Sequence, residues 1–323
     1  MEKVISQAAF YYLQAMLKTL TCCFIFTWST ALWAQTEADP ENEFVPNDPG
    51  TCLLCHSNAS IVPAEGIMHG AHALVGNSGS PFAPGQAGCQ SCHGPSAAHL
   101  SLTSTGSRPL PAVVFDQRQT AAEQDRMCLG CHEQDSGHFW PGSPHEFAEV
   151  SCSACHSLHN TTDQNLSLQG QTTQCTNCHQ RQQAETLFAS SHPLRSGQMS
   201  CTDCHDPHGG PGPAALLQPT LNDQCFQCHA EKRGPFLWEH APVSEDCSNC
   251  HRPHGSNHRS LLTARTPFLC QQCHLAPFHP SNAESGIGLP PVGASSNLLG
   301  RDCSNCHALI HGSNHPSGSR LTR

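Results

Sequence analysis

The stretch CFQCHAEKRGPFLWEHAPVSEDCSNCHRPHG, residues 225–255, contains the pattern Cys-x-x-Cys-His twice. The same pentapeptide occurs ten times in the 323-residue chain. The motifs, numbered 1 to 10 in chain order, are Cys52–His56, Cys89–His93, Cys128–His132, Cys152–His156, Cys175–His179, Cys201–His205, Cys225–His229, Cys247–His251, Cys270–His274 and Cys303–His307. They use 20 of the 22 cysteines, the others being Cys22 and Cys23. Such a repeat predicts a structure built from one recurring unit.

The chemistry of each motif indicates covalent attachment of haem c. Two thiols three positions apart can each add to one haem vinyl group, and the histidine that follows then lies under the iron as proximal ligand. The predicted attachment pairs are Cys52 and Cys55, Cys89 and Cys92, Cys128 and Cys131, Cys152 and Cys155, Cys175 and Cys178, Cys201 and Cys204, Cys225 and Cys228, Cys247 and Cys250, Cys270 and Cys273, and Cys303 and Cys306. Ten covalent haems are therefore expected.

Three other cysteine chemistries explain the pattern less well. Disulfides suit an exported protein but do not require a histidine after every second cysteine. Structural zinc sites pair two half-sites at fixed spacing and do not need histidine in each one. Thioredoxin-like pairs occur singly within a βαβ pattern, which this sequence does not show.

The other fourteen of the 24 histidines supply candidates for the opposite side of each iron. The chain divides into five modules of two motifs, each with a histidine between its motifs and another soon after the second. The histidines between motifs are His72 (or His69), His145 (or His138), His192, His240 and His279. The histidines that follow are His99, His159, His208, His254 and His311. The remainder, His69, His138, His258 and His315, have a surface or hydrogen-bonding role by default.

This count favours electron transfer over catalysis. An iron that activates a substrate needs an open sixth position, whereas one that only carries electrons is closed on both sides. Methionine ligation at one haem, from Met68, Met127 or Met199, is the alternative, although packing is the simpler role for these residues. The formal net charge of −10 argues against a nucleic-acid partner.

The N-terminal segment predicts export. Lys3 and Lys18 precede the apolar run Leu20–Ala34, which indicates a signal peptide over residues 1–34 and a periplasmic protein. An N-terminal extension, 35–51, leads into the decahaem domain, 52–323. The five modules of that domain are 52–127, 128–174, 175–224, 225–269 and 270–323.

The fold class follows from how little protein surrounds each haem. Residues 35–323 leave about 29 residues per motif, and only 6% of the whole chain is aromatic. Segments below about 40 residues cannot usually build their own core. We therefore predict a multihaem cytochrome c fold, elongated, with mostly irregular loops and short α-helices wrapped around a haem chain and little or no β-sheet. Helical turns are expected at 120–132, at 180–190 and around 230–240.

The ten motifs and three longer stretches resemble the MtrA/DmsE/PioA family of periplasmic decahaem cytochromes. The stretches are CHAEKRGPFLWEHAPVSEDCSNCHRPHG (228–255), SSHPLRSGQMSCTDCHDPHG (190–209) and CHALIHGSNHPSG (306–318). The resemblance implies bis-histidine ligation at all ten haems and favours His72 over His69 and His145 over His138. It also implies an electron conduit inside an outer-membrane β-barrel porin, with a periplasmic or inner-membrane cytochrome on one side and an extracellular multihaem cytochrome or reductase on the other.

Two other functions are compatible with the sequence. A multihaem periplasmic reductase would typically depart from the pattern at one haem, and none of the ten motifs does. A soluble periplasmic electron shuttle would need no fixed partner.

Overall fold

The structure, a computed structural model, describes residues 43–134, 138–161, 163–274, 302–316 and 318–322. Short helices joined by loops make up this part of the chain. The α-helices, α1 to α11, are Pro49–Leu53, Gln90–His93, Ala97–Leu100, Ala121–His132, Pro144–Phe147, Cys152–Cys155, Leu168–Thr176, Gln180–Thr186, Leu221–Phe226, Ala241–Glu245 and Phe268–Gln271. The 3₁₀ turns are Glu65–His69, Ala71–Ala73, Gln164–Leu166, Cys201–Asp203, Pro213–Ala215, Ala230–Lys232, Cys247–Asn249, Arg259–Leu261, Cys303–Asn305 and Gly318–Arg320.

The longest described helix, α4, begins at a capping box. The side chain of Thr120 accepts a hydrogen bond from the backbone N–H of Glu123, whose carboxylate accepts from the backbone N–H of Thr120. This reciprocal cap satisfies two N–H groups that would otherwise lack a partner. The helix predicted at 120–132 is thus confirmed over Ala121–His132, and the helix predicted at 180–190 is found over Gln180–Thr186. Around 230–240 the structure has only the 3₁₀ turn Ala230–Lys232.

The described residues contain no β-strand, as the sequence predicted. Pairing between extended segments is limited to isolated bridges: Ser190 with Ser256, His205 with Leu216, Trp238 with Ser313, and His251 with Leu262. Two of these bridges close the same kind of loop after motifs 6 and 8. No helix in the described segments combines the length and the apolar character needed to cross a bilayer.

Side chains alone make almost no hydrophobic core. The buried apolar residues in the described segments are Phe82, Ala83, Trp140, Leu216 and Leu321. Many large apolar side chains are instead exposed, among them Leu54 at 85% and Phe147 at 92%. Burial of apolar surface is the main force that holds a fold together. The protein therefore needs a non-protein apolar group to fill its interior, as the sequence predicted.

Polar contacts dock the two motifs of a module against each other. In two modules, the residue three positions before the first motif accepts a hydrogen bond from the first cysteine of the second motif. Asp125 Oδ1 accepts from the backbone N–H of Cys152 at 2.7 Å, and Asn222 Oδ1 accepts from that of Cys247 at 2.7 Å. The recurrence of this contact gives consecutive motifs a fixed relative position.

Candidate haem sites

Each Cys-x-x-Cys-His motif forms a single tight turn of chain. In nine motifs the histidine N–H donates to the carbonyl of the first cysteine at 2.9 to 3.0 Å, and in motif 3 the same residues end helix α4. Positions i, i+3 and i+4 of a helical turn lie on one face. The turn therefore presents two thiols and an imidazole together, which is the arrangement that covalent haem attachment requires. None of the 20 cysteines of the motifs forms a disulfide.

The motif histidines face other histidines in pairs. Nine such pairs are described, with ring centres 5.9 to 6.5 Å apart. The motif histidine is given first in each pair: His56 and His99, His93 and His159, His132 and His72, His156 and His208, His179 and His145, His205 and His254, His229 and His192, His251 and His311, and His274 and His240.

The spacing of these rings matches a shared iron ion. Two imidazoles that bind one metal from opposite sides, each with a bond of about 2.0 Å and a ring radius of about 1.1 Å, have centres about 6.2 Å apart. Directly stacked rings can approach to about 4.5 Å. The His156 and His208 rings are nearly parallel, at 9°, yet their centres stay 6.1 Å apart. The residues present therefore fit a haem iron between each pair.

The nine pairs contain every predicted second ligand that the structure describes. His72 rather than His69 lies opposite His132, and His145 rather than His138 lies opposite His179. His279, the remaining predicted ligand, falls outside the described residues, so its pairing with His307 stays a prediction.

The histidines left over by the sequence count belong to none of the nine pairs. His69 ends a 3₁₀ turn, and the ring of His138 lies against that of Phe139, with centres 4.9 Å apart. The backbone N–H groups of His258 and His315 donate to Ser256 and Ser313. These backbone contacts do not involve the imidazole rings, so the surface or hydrogen-bonding role of the four side chains stays a prediction.

The histidine pairs connect neighbouring modules. Only His56 and His99 share a module, whereas the other eight described pairs join one module to the next. Histidines between two motifs face the motif after next, as His192 faces His229. The sequence count had left these pairings open. The modules therefore interlock and do not form independent ligand sets.

The cysteines place consecutive motifs side by side. Within modules the first cysteines meet, since the side chains of Cys52 and Cys89 lie within hydrogen-bond distance of each other. Between modules the second cysteines approach each other, as Cys155 and Cys178 do. The two contacts alternate along the chain, so the attachment points follow one another in sequence order.

A hydrogen bond on Nδ1 fixes the orientation of nine of the 18 rings in the described pairs. His56 Nδ1 lies 2.9 Å from the Val62 carbonyl, and His145 Nδ1 lies 2.8 Å from the Pro207 carbonyl. An Nδ1–H donated to a carbonyl leaves Nε2 free to bind a metal. Sequence reasoning missed these acceptors because most are backbone carbonyls, which carry no residue signature.

Burial keeps several of these imidazoles in the neutral form that binds metal. Burial, followed by the nearby His132, lowers the pKa of His72. Burial also lowers the pKa values of His93, His159 and His311. A neutral imidazole is the form that ligates a metal, so these environments favour ligation.

Comparison with known proteins agrees with this geometry. The family described as "Doubled CXXCH motif" matches residues 192–234 and 240–276, and the family described as "Cytochrome c-type protein NrfB-like" matches residues 89–173. The multiheme cytochrome MtrA of Shewanella baltica (strain OS185) is 43% identical over 288 residues, which cover 88% of this chain and 84% of that protein. Covalently bound haem c and electron transfer follow from these matches. The chain therefore belongs to the MtrA-type family of multihaem c-type cytochromes.

Proposed function

We propose that this chain binds ten haems c, each between two histidines, and conducts electrons through them without catalysing a reaction of its own. The observation that carries the proposal is the set of nine histidine pairs with centres 5.9 to 6.5 Å apart. His307 and His279 would supply the tenth pair.

Haem c, when bound, supplies a one-electron iron couple whose potential depends on its axial ligands and their hydrogen bonds. The chain itself holds the attachment points in sequence order and closes both faces of each described site with imidazole. A site closed in this way has no position for a substrate. This arrangement supports electron transfer rather than reduction of a bound molecule.

The setting that fits such a protein is an outer-membrane conduit. We propose that the chain is exported to the periplasm, loses residues 1–34, and lies inside a β-barrel porin. Its partners there are a periplasmic or inner-membrane cytochrome and an extracellular multihaem cytochrome or reductase. Support comes from the family relation, and a barrel lumen wide enough to be plugged can enclose a protein of this kind.

Co-expression with a porin of the same genome tests this setting. The two proteins should purify together, and liposomes that contain both should pass electrons from an external reductant to an enclosed acceptor. Liposomes with the porin alone are the control. If the cytochrome stays soluble and monomeric beside the porin, the shuttle function replaces the conduit. If the isolated protein binds nitrite at one iron, the reductase function replaces both.

A further inference from the structure

The histidine pair of motif 4 differs from the others in the charged groups that lie beside its two Nδ1 atoms. His156 Nδ1 lies 2.9 Å from Asp163 Oδ2, and His208 Nδ1 lies 3.2 Å from Asp206 Oδ1. Both rings of one predicted iron site thus face a carboxylate. A carboxylate is ionised at neutral pH, whereas a backbone carbonyl carries only a partial charge.

The other even-numbered motifs provide an internal comparison. In each of them, Nδ1 of the motif histidine faces a backbone carbonyl of the loop that follows, at 2.7 to 3.0 Å. These contacts are His93 to Val113, His205 to Ala214, His251 to Ser260, and His307 to Arg320. In motif 4 the Asp163 side chain takes the place of that carbonyl.

Among the nine described pairs, only this one has a carboxylate within 3.5 Å of Nδ1 on both rings. At motif 6, His254 Nδ1 lies 3.4 Å from Glu185 Oε2, but the opposite ring faces the Ala214 carbonyl. At motif 7, Glu231 lies 4.0 Å from His229 and is 62% exposed. That distance is too long for a hydrogen bond.

Other hydrogen bonds hold both carboxylates in place. Asp163 Oδ1 accepts from the backbone N–H of Asn165 at 2.8 Å, which leaves Oδ2 directed at His156. Asp206 Oδ1 accepts from the backbone N–H of His208 at 2.9 Å. The two side chains are 25% and 34% exposed, so water competes only in part for these contacts.

Such a contact changes the electron donation of an iron ligand. When Nδ1–H donates to a carboxylate, the imidazole becomes more basic and binds ferric iron more strongly. Stronger donation stabilises the oxidised form and lowers the reduction potential. His156 makes this hydrogen bond with Asp163, and the negative charge of Asp206, 3.2 Å from His208 Nδ1, acts in the same direction.

We propose that Asp163 and Asp206 are positioning residues that make the site between His156 and His208 the lowest-potential centre of this chain. The inference rests on the proposed function, in which ten bis-histidine haems carry electrons. Because the attachment points follow sequence order, this centre would be fourth of ten. Electrons would then cross an energetically uphill step there in either direction, and the two carboxylates would set its height.

Redox titration of the full-length, haem-loaded protein tests the assignment, with Asp163→Asn, Asp206→Asn and the double variant. In the double variant, the tenth of the haem absorbance change that titrates at the lowest potential should move to a higher potential. The expected shift is at least tenfold in the oxidised-to-reduced ratio, which is about 59 mV for a one-electron couple. Each single variant should give a part of this shift. Asp203→Asn is the matched control, since Asp203 lies inside motif 6 and its carboxylate accepts from the Ser200 N–H at 2.8 Å.

The EPR spectrum separates a change at this iron from a general loss of charge. The rings of this pair are nearly parallel, at 9°, so only a rhombic low-spin signal should change in the double variant. The inference is overturned if the double variant carries all ten haems in the low-spin state but its lowest reduction potential shifts no more than that of Asp203→Asn. A wild-type protein with fewer haems or with high-spin iron would instead contradict the proposed function.

Discussion

Removal of the His192 ring tests how the histidines pair. His192 lies between motifs 5 and 6 in the sequence, but its ring lies 6.5 Å from that of His229 in motif 7. In His192→Ala, one of the ten proposed irons should lose its sixth ligand. Low-temperature EPR should therefore show a high-spin signal from about one tenth of the haem, with an equal loss of low-spin signal. His258→Ala is the control and should leave all haem low-spin.

Removal of single haems then identifies the iron that loses its ligand. With Cys225→Ser and Cys228→Ser, motif 7 cannot attach haem, so adding His192→Ala should create no high-spin signal. With Cys201→Ser and Cys204→Ser, which remove the haem of motif 6, His192→Ala should still create one. The reverse result would refute pairing between modules. Pyridine haemochrome assays should give nine haems in both backgrounds, which confirms that the rest of the protein is loaded.

Three further predictions concern stability and spectra. Asp125→Ala leaves the part-buried N–H of Cys152 without its acceptor and should lower the free energy of unfolding by about 1–3 kcal/mol in chemical denaturation. Asp125→Asn, which keeps an oxygen, should recover most of this loss. Burial acts to raise the pKa of Asp302, but hydrogen bonds and then Arg259 lower it below its usual value. This carboxylate therefore stabilises the fold above its unfolded pKa of about 3.9, and the stabilisation is lost as pH falls through the lower folded value. Asp302→Asn should therefore weaken the dependence of the free energy of unfolding on pH in that acid range. An unchanged dependence on pH would contradict this prediction. The two pairs with steeply crossed rings, at 75° and 61°, should give strongly axial low-spin EPR signals, because crossed ligands leave two iron d orbitals nearly degenerate; a spectrum with rhombic signals alone would contradict that geometry.

The motifs and the number of histidines could be predicted from the sequence because each is a residue signature at fixed spacing. The helix at Ala121–His132 was also predictable, since the Thr120–Glu123 cap marks its start and the histidine of motif 3 marks its end. The near absence of sheet followed from the scarcity of residues per motif. These features depend on local chemistry or on composition.

The pairing of rings could not be predicted in the same way. His192 is nine residues from motif 6 and 33 from motif 7, yet it faces motif 7. That choice depends on how consecutive motifs dock, through contacts such as Asn222 with Cys247. The carboxylate at motif 4 was missed for a similar reason, since Asp163 replaces a carbonyl that has no sequence signature in the other repeats.

Spin-quantified EPR of the oxidised protein, set against total haem from pyridine haemochrome, tests the central claim most directly. Ten sites closed by histidine on both faces predict ten haems per chain, all low-spin, with no high-spin signal and no change when nitrite or cyanide is added. A high-spin signal from a tenth or more of the haem in the unaltered protein, or a haem count below ten, would contradict the account.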